Sequence, residues 1–231
     1  GLPYLCETYE EVSVKTCLII TGGKIDESFA RSFLEKECVQ KIIAVDRGLE
    51  TVWHLGLVPD YIVGDFDSVD VQVLEEFRKL PFIVWEQHRP EKNETDTELA
   101  RNRALTLGCD RILFLGATGG RLDHMLANIH TLYGCMEKGV EAYLVDPQNR
   151  ICLLDQGRTF SRSSQWGKYI SFLPYTDQVI GITLTGFRYP LEKKNLYKGT
   201  EAGLGVSNEL AEESGEISFT DGVLVCVETR D

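Results

Sequence analysis

Val63-Gly64-Asp65-Phe66-Asp67-Ser68 breaks an apolar strand end at a glycine and follows it with two carboxylates and a hydroxyl. Asp65 and Asp67 flank one bulky residue, which sets two hard oxygen donors close together at the carboxyl edge of a strand, where open α/β sheets hold their ligands. Two like charges there call for a cation. Mg²⁺ is the first candidate, because it takes one or two protein carboxylates and completes its octahedron with water and substrate phosphate. The plainer alternative is a surface turn in which Asp65 caps the helix that starts near Val69.

The flanking sequence decides in favour of a sheet edge. Thr16 to Thr21 is an apolar strand ending in Gly22-Gly23, and Asp26 then caps a helix to about Lys36. Lys41 to Val45 ends at Asp46-Arg47-Gly48, and a helix over Leu49 to Leu55 stops at Gly56. Tyr61 to Val63 leads into the paired carboxylates, followed by a helix over Val71 to Leu80. The alternation continues with a strand Phe82 to Trp85, a helix Thr97 to Leu107, a strand Arg111 to Leu115, a helix Asp123 to Lys138 and a strand Val140 to Val145. Strands separated by helices of this length predict right-handed βαβ units and a parallel sheet of about six strands.

After Asp146-Pro147 no 3.6-residue period persists. Short strands are predicted at Ile151 to Leu154, Thr159 to Ser161, Tyr169 to Leu173, Gly181 to Leu184, Thr200 to Ala202, Gly215 to Phe219 and Val223 to Glu228. The expected class is therefore α/β: an N-terminal Rossmann-like parallel sheet flanked by helices, then a small antiparallel β-sandwich. The expected boundaries are 1–14 for a leader or cloning remnant, 15–148 for the α/β domain and 149–231 for the β domain.

Net charge over the 231 residues is −12, which argues against a nucleic-acid surface built from clustered Lys and Arg. An acidic chain still binds polyphosphate when it supplies a metal site and local cations. No run approaches the roughly 18 apolar residues of a membrane span. The seven cysteines are scattered without a Cys-x-x-Cys pair, several within apolar runs, so buried thiols in a reducing cytoplasmic compartment are expected.

If the parallel strands share direction, five separated loops converge on one edge: Gly22-Gly23-Lys24, Asp46-Arg47-Gly48, Gly64 to Ser68, Lys92 to Asp96 and Gly116 to His124. They bring acids (Asp46, Asp65, Asp67, Asp96, Asp123), cations (Lys24, Arg47, Lys92, Arg121) and glycines that let backbone N–H groups approach an oxyanion. Gly119-Gly120-Arg121-Leu122-Asp123-His124 is a glycine turn opening a helix, a place suited to phosphate oxygens. Arg121 either forks onto two of those oxygens or pairs with Asp123, and His124 is either a site residue or an ordinary surface one. Thr95 with Glu98 is also a capping box, a role that leaves Lys92 and Asp96 free for the ligand edge. The spacing at Gly22-Gly23 fits neither a dinucleotide fingerprint nor a P-loop.

Taken in order, Asp46-Arg47-Gly48, Gly64 to Ser68, Lys92 to Asp96, Gly119 to His124 and Ser207-Asn208-Glu209 resemble the motifs of the thiamin pyrophosphokinase family. The match runs over nearly the whole chain from about Thr16, with one departure: the family often carries glycine where Arg47 stands. The resemblance implies Mg-dependent transfer of a diphosphate group from ATP to the hydroxyethyl oxygen of thiamin, giving thiamin diphosphate and AMP. It implies a homodimer, with the vitamin held where the β domain meets the partner subunit. It would make Asp65, Asp67 and Asp96 the magnesium ligands. Asp46, Arg121 and Asp123 would line the reacting groups, with Gly22, Gly23, Lys92, Thr95, Gly119, Gly120 and His124 around ATP. Ser207, Asn208 and Asp123 would touch thiamin. Trp166, Tyr169, Tyr197 and Phe219 are further ring-stacking candidates, although aromatics in a β domain are usually core. Other readings are a diphosphokinase acting on another alcohol such as a pterin carbinol, a Mg-dependent phosphatase with an aspartyl nucleophile, or a non-catalytic nucleotide or vitamin sensor.

Overall fold

The computed structural model of the protein describes residues 14–87 and 93–231, which fall into two compact units divided between Pro147 and Gln148; the expected leader lies, but for Val14, outside the described residues. In the first unit, helices and strands alternate: β1 Thr16–Ile20, α1 Glu27–Leu34, β2 Lys41–Val45, α2 Gly48–His54, β3 Tyr61–Gly64, α3 Val71–Arg78, β4 Val84–Gln87, α4 Asp96–Thr106, β5 Arg111–Leu115, α5 Leu122–Met136 and β6 Glu141–Val145. These six strands pair in the order β4-β3-β2-β1-β5-β6, each neighbour parallel to the next. All five residues of β1 are buried, as an interior strand covered on both faces requires, and this is why it reads as a continuous apolar run. The edge strand β4 carries no buried residue.

The chain leaves β1 in one direction to build β2, β3 and β4, then returns to place β5 on the other side of β1. That reversal between β1 and β5 is the switch point at which doubly wound sheets open a crevice beyond their carboxyl ends. Helix starts are fixed by short acceptors. Asp26 Oδ1 accepts from Phe29 N–H at 2.8 Å, and Thr95 and Glu98 form a reciprocal capping box. Asp70 caps α3, accepting from Gln72 N–H at 2.7 Å. Asp65 therefore does not serve as that cap, and its carboxylate is left for another use. Among the described residues no helix is long and apolar enough to cross a membrane.

The second unit is all β apart from a single 3-10 turn: β7 Asn149–Leu154, β8 Arg158–Ser161, β9 Tyr169–Pro174, β10 Gln178–Thr185, β11 Leu191–Tyr197, β12 Ser214–Ser218 and β13 Leu224–Thr229. Strand β13 pairs antiparallel with β7 and β9, while β11-β10-β12-β8 form a four-stranded antiparallel sheet. Phe160 of β8, Phe172 of β9 and Phe187 meet edge to face at 5.8–6.1 Å and fill the space between the two sheets.

One expected strand needs correction here, and one unexpected strand is added. Thr200 to Ala202 is not a strand; the chain turns through Glu201 at φ +48° into a 3-10 helix at Ala202–Leu204. The strand that stands in its place is β11, whose Glu192, Lys193 and Lys194 are exposed. Charges of this kind protect the edge of a sheet from pairing with another chain, and they also hide the strand from a hydrophobicity reading.

Candidate active site

A cavity of about 630 Å³ opens beyond the carboxyl ends of the parallel strands. All five expected loops contribute to it: Gly22, Gly23 and Lys24; Asp46 and Arg47; Asp65 and Ser68; Glu94, Thr95 and Asp96; and Gly116, Gly119, Gly120, Arg121 and His124. The loops after β1 and β5 touch, since a Cβ on Gly23 would lie 2.0 Å from Gly116 O, and only glycine permits that approach.

Asp46 sits at the turn out of β2 in a left-handed conformation, φ +47°. Its Oδ1 accepts the N–H of Asp65 at 3.2 Å, and its carboxyl group is hydrogen-bonded to Asp96. The carboxyl lies flat against Gly64, at φ +141°, where a Cβ would stand only 1.8 Å from Asp46 Oδ1. Phe66 is also left-handed, φ +65°, and its buried ring packs edge-on to Trp85 of β4 at 5.4 Å. The ring anchors a reversed backbone and leaves the carboxylates on either side of it exposed to solvent. Left-handed non-glycine residues cost free energy, and three of the five among the described residues, Asp46, Phe66 and Ser207, fall in the motifs, where a ligand site would fix the backbone.

Burial, then the hydrogen bond and charge of Asp96, then the charge of Asp65, push the Asp46 carboxyl up to about 7. Crowded acids that retain a proton suit displacement by a hard cation. The unfolded chain releases that proton near pH 3.9, so between that pH and about 7 the native protein holds a proton the unfolded chain has lost. The associated stability is full below the lower value and is lost as pH rises through about 7. Metal-free protein is therefore expected to melt at a lower temperature at pH 8 than at pH 5, and Asp46→Asn to reduce that difference. Parallel melting curves for the two proteins across this range would refute the coupling.

The expected residues do not all arrive together. Asp65 and Asp96 line the cavity with Asp46, whereas Asp67 does not; its N–H donates to Asp65 Oδ1 at 3.2 Å. Among the described residues no three His, Cys, Asp or Glu side chains are gathered tightly enough to hold a metal ion. An all-oxygen set of two or three carboxylates still fits Mg²⁺, which draws its remaining ligands from water and phosphate. Lys92 lies outside the described residues. Thr95 lines the cavity while capping α4. Arg121 forks onto Asp123, with Nε to Oδ1 at 3.1 Å, and holds the Asp123 carboxyl below the usual carboxylate range. Both are exposed, and Asp123 is not part of the cavity lining.

In the second unit Ser207 is left-handed, φ +58°, with its N–H on Ser171 Oγ at 2.9 Å. Asn208 is buried: its Oδ1 accepts from the N–H groups of Tyr189 and Glu209, and its Nδ2 donates to Tyr189 O. That side chain ties the backbone of Tyr189 to that of Glu209. Of the stacking candidates, Trp166 lies within 5.5 Å of the Arg150 guanidinium and 5.0 Å of the Arg230 guanidinium, while Tyr197 is exposed.

Sequence reading missed Leu99, Ala127 and Asn128 in the cavity lining. They lie inside α4 and α5, and the available signal is helical spacing: Leu99 is three residues after Asp96, and Ala127 and Asn128 are three and four after His124. Asn128 Nδ2 donates to Ala117 O at 2.9 Å, and Thr118 Oγ1 donates to Asp146 Oδ2 at 2.6 Å, so the Gly116–Gly120 loop is pinned from two sides.

The thiamin pyrophosphokinase catalytic-domain family model matches residues 34–144, and the thiamin pyrophosphokinase vitamin B1 binding-domain model matches residues 158–224. The thiamine pyrophosphokinase of Bacillus subtilis (strain 168) is 35% identical over 189 residues, covering 82% of this chain and 87% of that protein. Among solved structures, the B. subtilis enzyme superposes with a TM-score of 0.83 at 33% identity over 94% of this chain and 100% of its own. Thiamin pyrophosphokinase from Geobacillus thermodenitrificans gives 0.82 at 31% identity over 94% and 98%. With a family model matched within each unit and relatives of this identity spanning most of both chains, the protein belongs to the thiamin pyrophosphokinase family.

Proposed function

We propose that the protein transfers a diphosphate group from ATP to thiamin, forming thiamin diphosphate and AMP. The observation that carries this reading is the convergence of five sequence-distant loops on one cavity that joins clustered carboxylates to glycine turns and cations. In the reaction the hydroxyethyl oxygen of thiamin bonds to the β-phosphorus and loses its proton, while the bond from that phosphorus to the α,β-bridging oxygen breaks and AMP leaves with the electron pair. Transfer of this kind asks a protein mainly for alignment and placed charge.

Asp65 and Asp96, with Asp67 beside them, would hold Mg²⁺, which when bound neutralises and orients the phosphate chain. Asp46 fixes Asp65 through its N–H. The bare backbone at Gly119 and Gly120 gives phosphate oxygens close access at the start of α5. Arg121 carries the charge that faces the lengthening bond, and Asp123 orients it. An exposed carboxylate whose proton affinity is already lowered by Arg121 is a poor general base, so orientation is its part. Ser207, whose turn is held by Ser171 Oγ, and Asn208 beside it are the proposed thiamin contacts of the second unit.

A homodimer in the cytoplasm completes the proposal. Leu122 and Leu126, one turn apart on α5 beside His124, are 69% and 55% exposed, an apolar strip of the kind a second subunit covers. The described cysteines are free thiols, as a reducing compartment maintains. Incubation with ATP, Mg²⁺ and thiamin is expected to yield AMP and thiamin diphosphate in equal amounts. Release of inorganic phosphate or ADP instead, or no product over hours, would overturn the reading.

A further inference from the structure

Arg47 has no part in the reaction as described so far, yet it lines the cavity together with Lys24 and Arg121. The two arginines differ in how far their donors are committed. Arg121 is forked onto Asp123 through two hydrogen bonds. Among the described residues Arg47 has one ion-pair partner, Glu50, at 3.8 Å, too long for a hydrogen bond. Glu50 is itself anchored, since its Oε1 accepts the N–H of Asp70 at 3.0 Å. Arg47 is thus drawn toward a fixed carboxylate without using any of its donors on it, and its side chain is 61% exposed.

The local backbone directs this residue at the cavity. A Cβ on Gly22 would stand 3.4 Å from Arg47 Cβ and 3.6 Å from Arg47 N, so the base of the arginine lies against the bare Gly22-Gly23 turn. The described lining holds four acids (Asp46, Asp65, Glu94 and Asp96) against the cations Lys24, Arg47 and Arg121. A polyphosphate entering such a site is repelled unless the cations are available to it, and an uncommitted planar guanidinium matches phosphate in charge and in fork geometry.

We infer that Arg47 is a specificity-determining residue that binds the triphosphate chain of the nucleotide and so selects triphosphate over monophosphate. The inference rests on the reaction proposed above and adds a residue to it. Moving Arg47 onto phosphate costs little, because only a long ion pair is given up.

The test compares Arg47→Ala, Arg47→Lys and Glu50→Gln with the unmodified protein. Steady-state kinetics give KM for MgATP and kcat, and calorimetry gives Kd for magnesium tripolyphosphate and for AMP. Arg47→Ala is expected to raise KM for MgATP and Kd for tripolyphosphate by about 10-fold, with kcat within about 3-fold and AMP binding nearly unchanged. Arg47→Lys recovers part of the loss, and Glu50→Gln leaves both constants at or below their starting values. Unchanged tripolyphosphate binding in Arg47→Ala, or a Glu50→Gln variant that reproduces its defect, overturns the assignment; the latter would make Arg47 a structural tether. The tripolyphosphate measurement needs no turnover, so it judges Arg47 separately from the proposed reaction.

Discussion

Asp65→Asn is expected to lower turnover by about 10³-fold or more while moving the melting temperature by no more than about 3 °C. The asymmetry follows from what the side chain does in the folded protein. Asp65 is exposed, and its one described side-chain contact is acceptance of the Asp67 N–H at 3.2 Å, which an amide oxygen performs equally well. Its backbone N–H still donates to Asp46 Oδ1. The loop therefore keeps its shape and loses a charge. In the proposed reaction that charge would hold Mg²⁺ and, with it, the phosphate chain. Formation of AMP at saturating MgATP and a Mg²⁺ titration by calorimetry read the two consequences. An Asp65→Asn variant with near-normal activity and unchanged Mg²⁺ dependence would remove the metal assignment. Asp67→Asn refines it: Asp67 is next in the motif yet outside the lining, and a loss below about 10-fold there would leave Asp46, Asp65 and Asp96 as the cation set.

The sequence made the parallel sheet readable because each of its first three strands, and β5, ends where apolar residues give way to glycine or acid. Once strand direction is shared, such endings have to lie along one edge, so the cavity could be placed before any side chain was. Residues whose role depends on what they face were less readable. The motif around Asn208 gave no sign that its buried amide bonds the backbone of Tyr189 and Glu209. Arg121 and Asp123 carry both a ligand reading and a mutual-pair reading, and the fold displays the second. Asn128 has no motif around it, since a helix residue reaches the cavity through spacing alone. Strand β11 escaped because edge strands select charge where interior strands select apolar surface, the reverse of the signal used to find strands.

Gly64→Ala is expected to damage stability and activity together, which distinguishes it from the charge variants. The residue lies at φ +141°, a region that side-chain-bearing residues rarely adopt, and the added methyl would meet Asp46 Oδ1 at 1.8 Å. Relief requires either the Asp46 carboxyl or the Gly64 backbone to move. If Asp46 moves, it loses its hold on the Asp65 N–H and its hydrogen bond with Asp96. If the backbone moves, the end of β3 shifts and the Phe66 ring leaves its place against Trp85. Gly56→Ala is the control, since Gly56 is also left-handed at φ +69° but a methyl there would meet nothing within 4 Å. It carries the conformational cost alone, about 1 kcal/mol. Gly64→Ala is expected to exceed it by about 2 kcal/mol or more in denaturant unfolding and to cut AMP formation by at least about 10²-fold. Equal destabilisation of the two variants, with activity retained in both, would mean that the Asp46–Gly64 contact does not shape the site. The contact matters because it converts a strained turn into a fixed distance: with Asp46 seated on a bare Cα, the acids after β2 and β3 are held at one spacing before any cation arrives, and catalysis need not wait for the loops to find it.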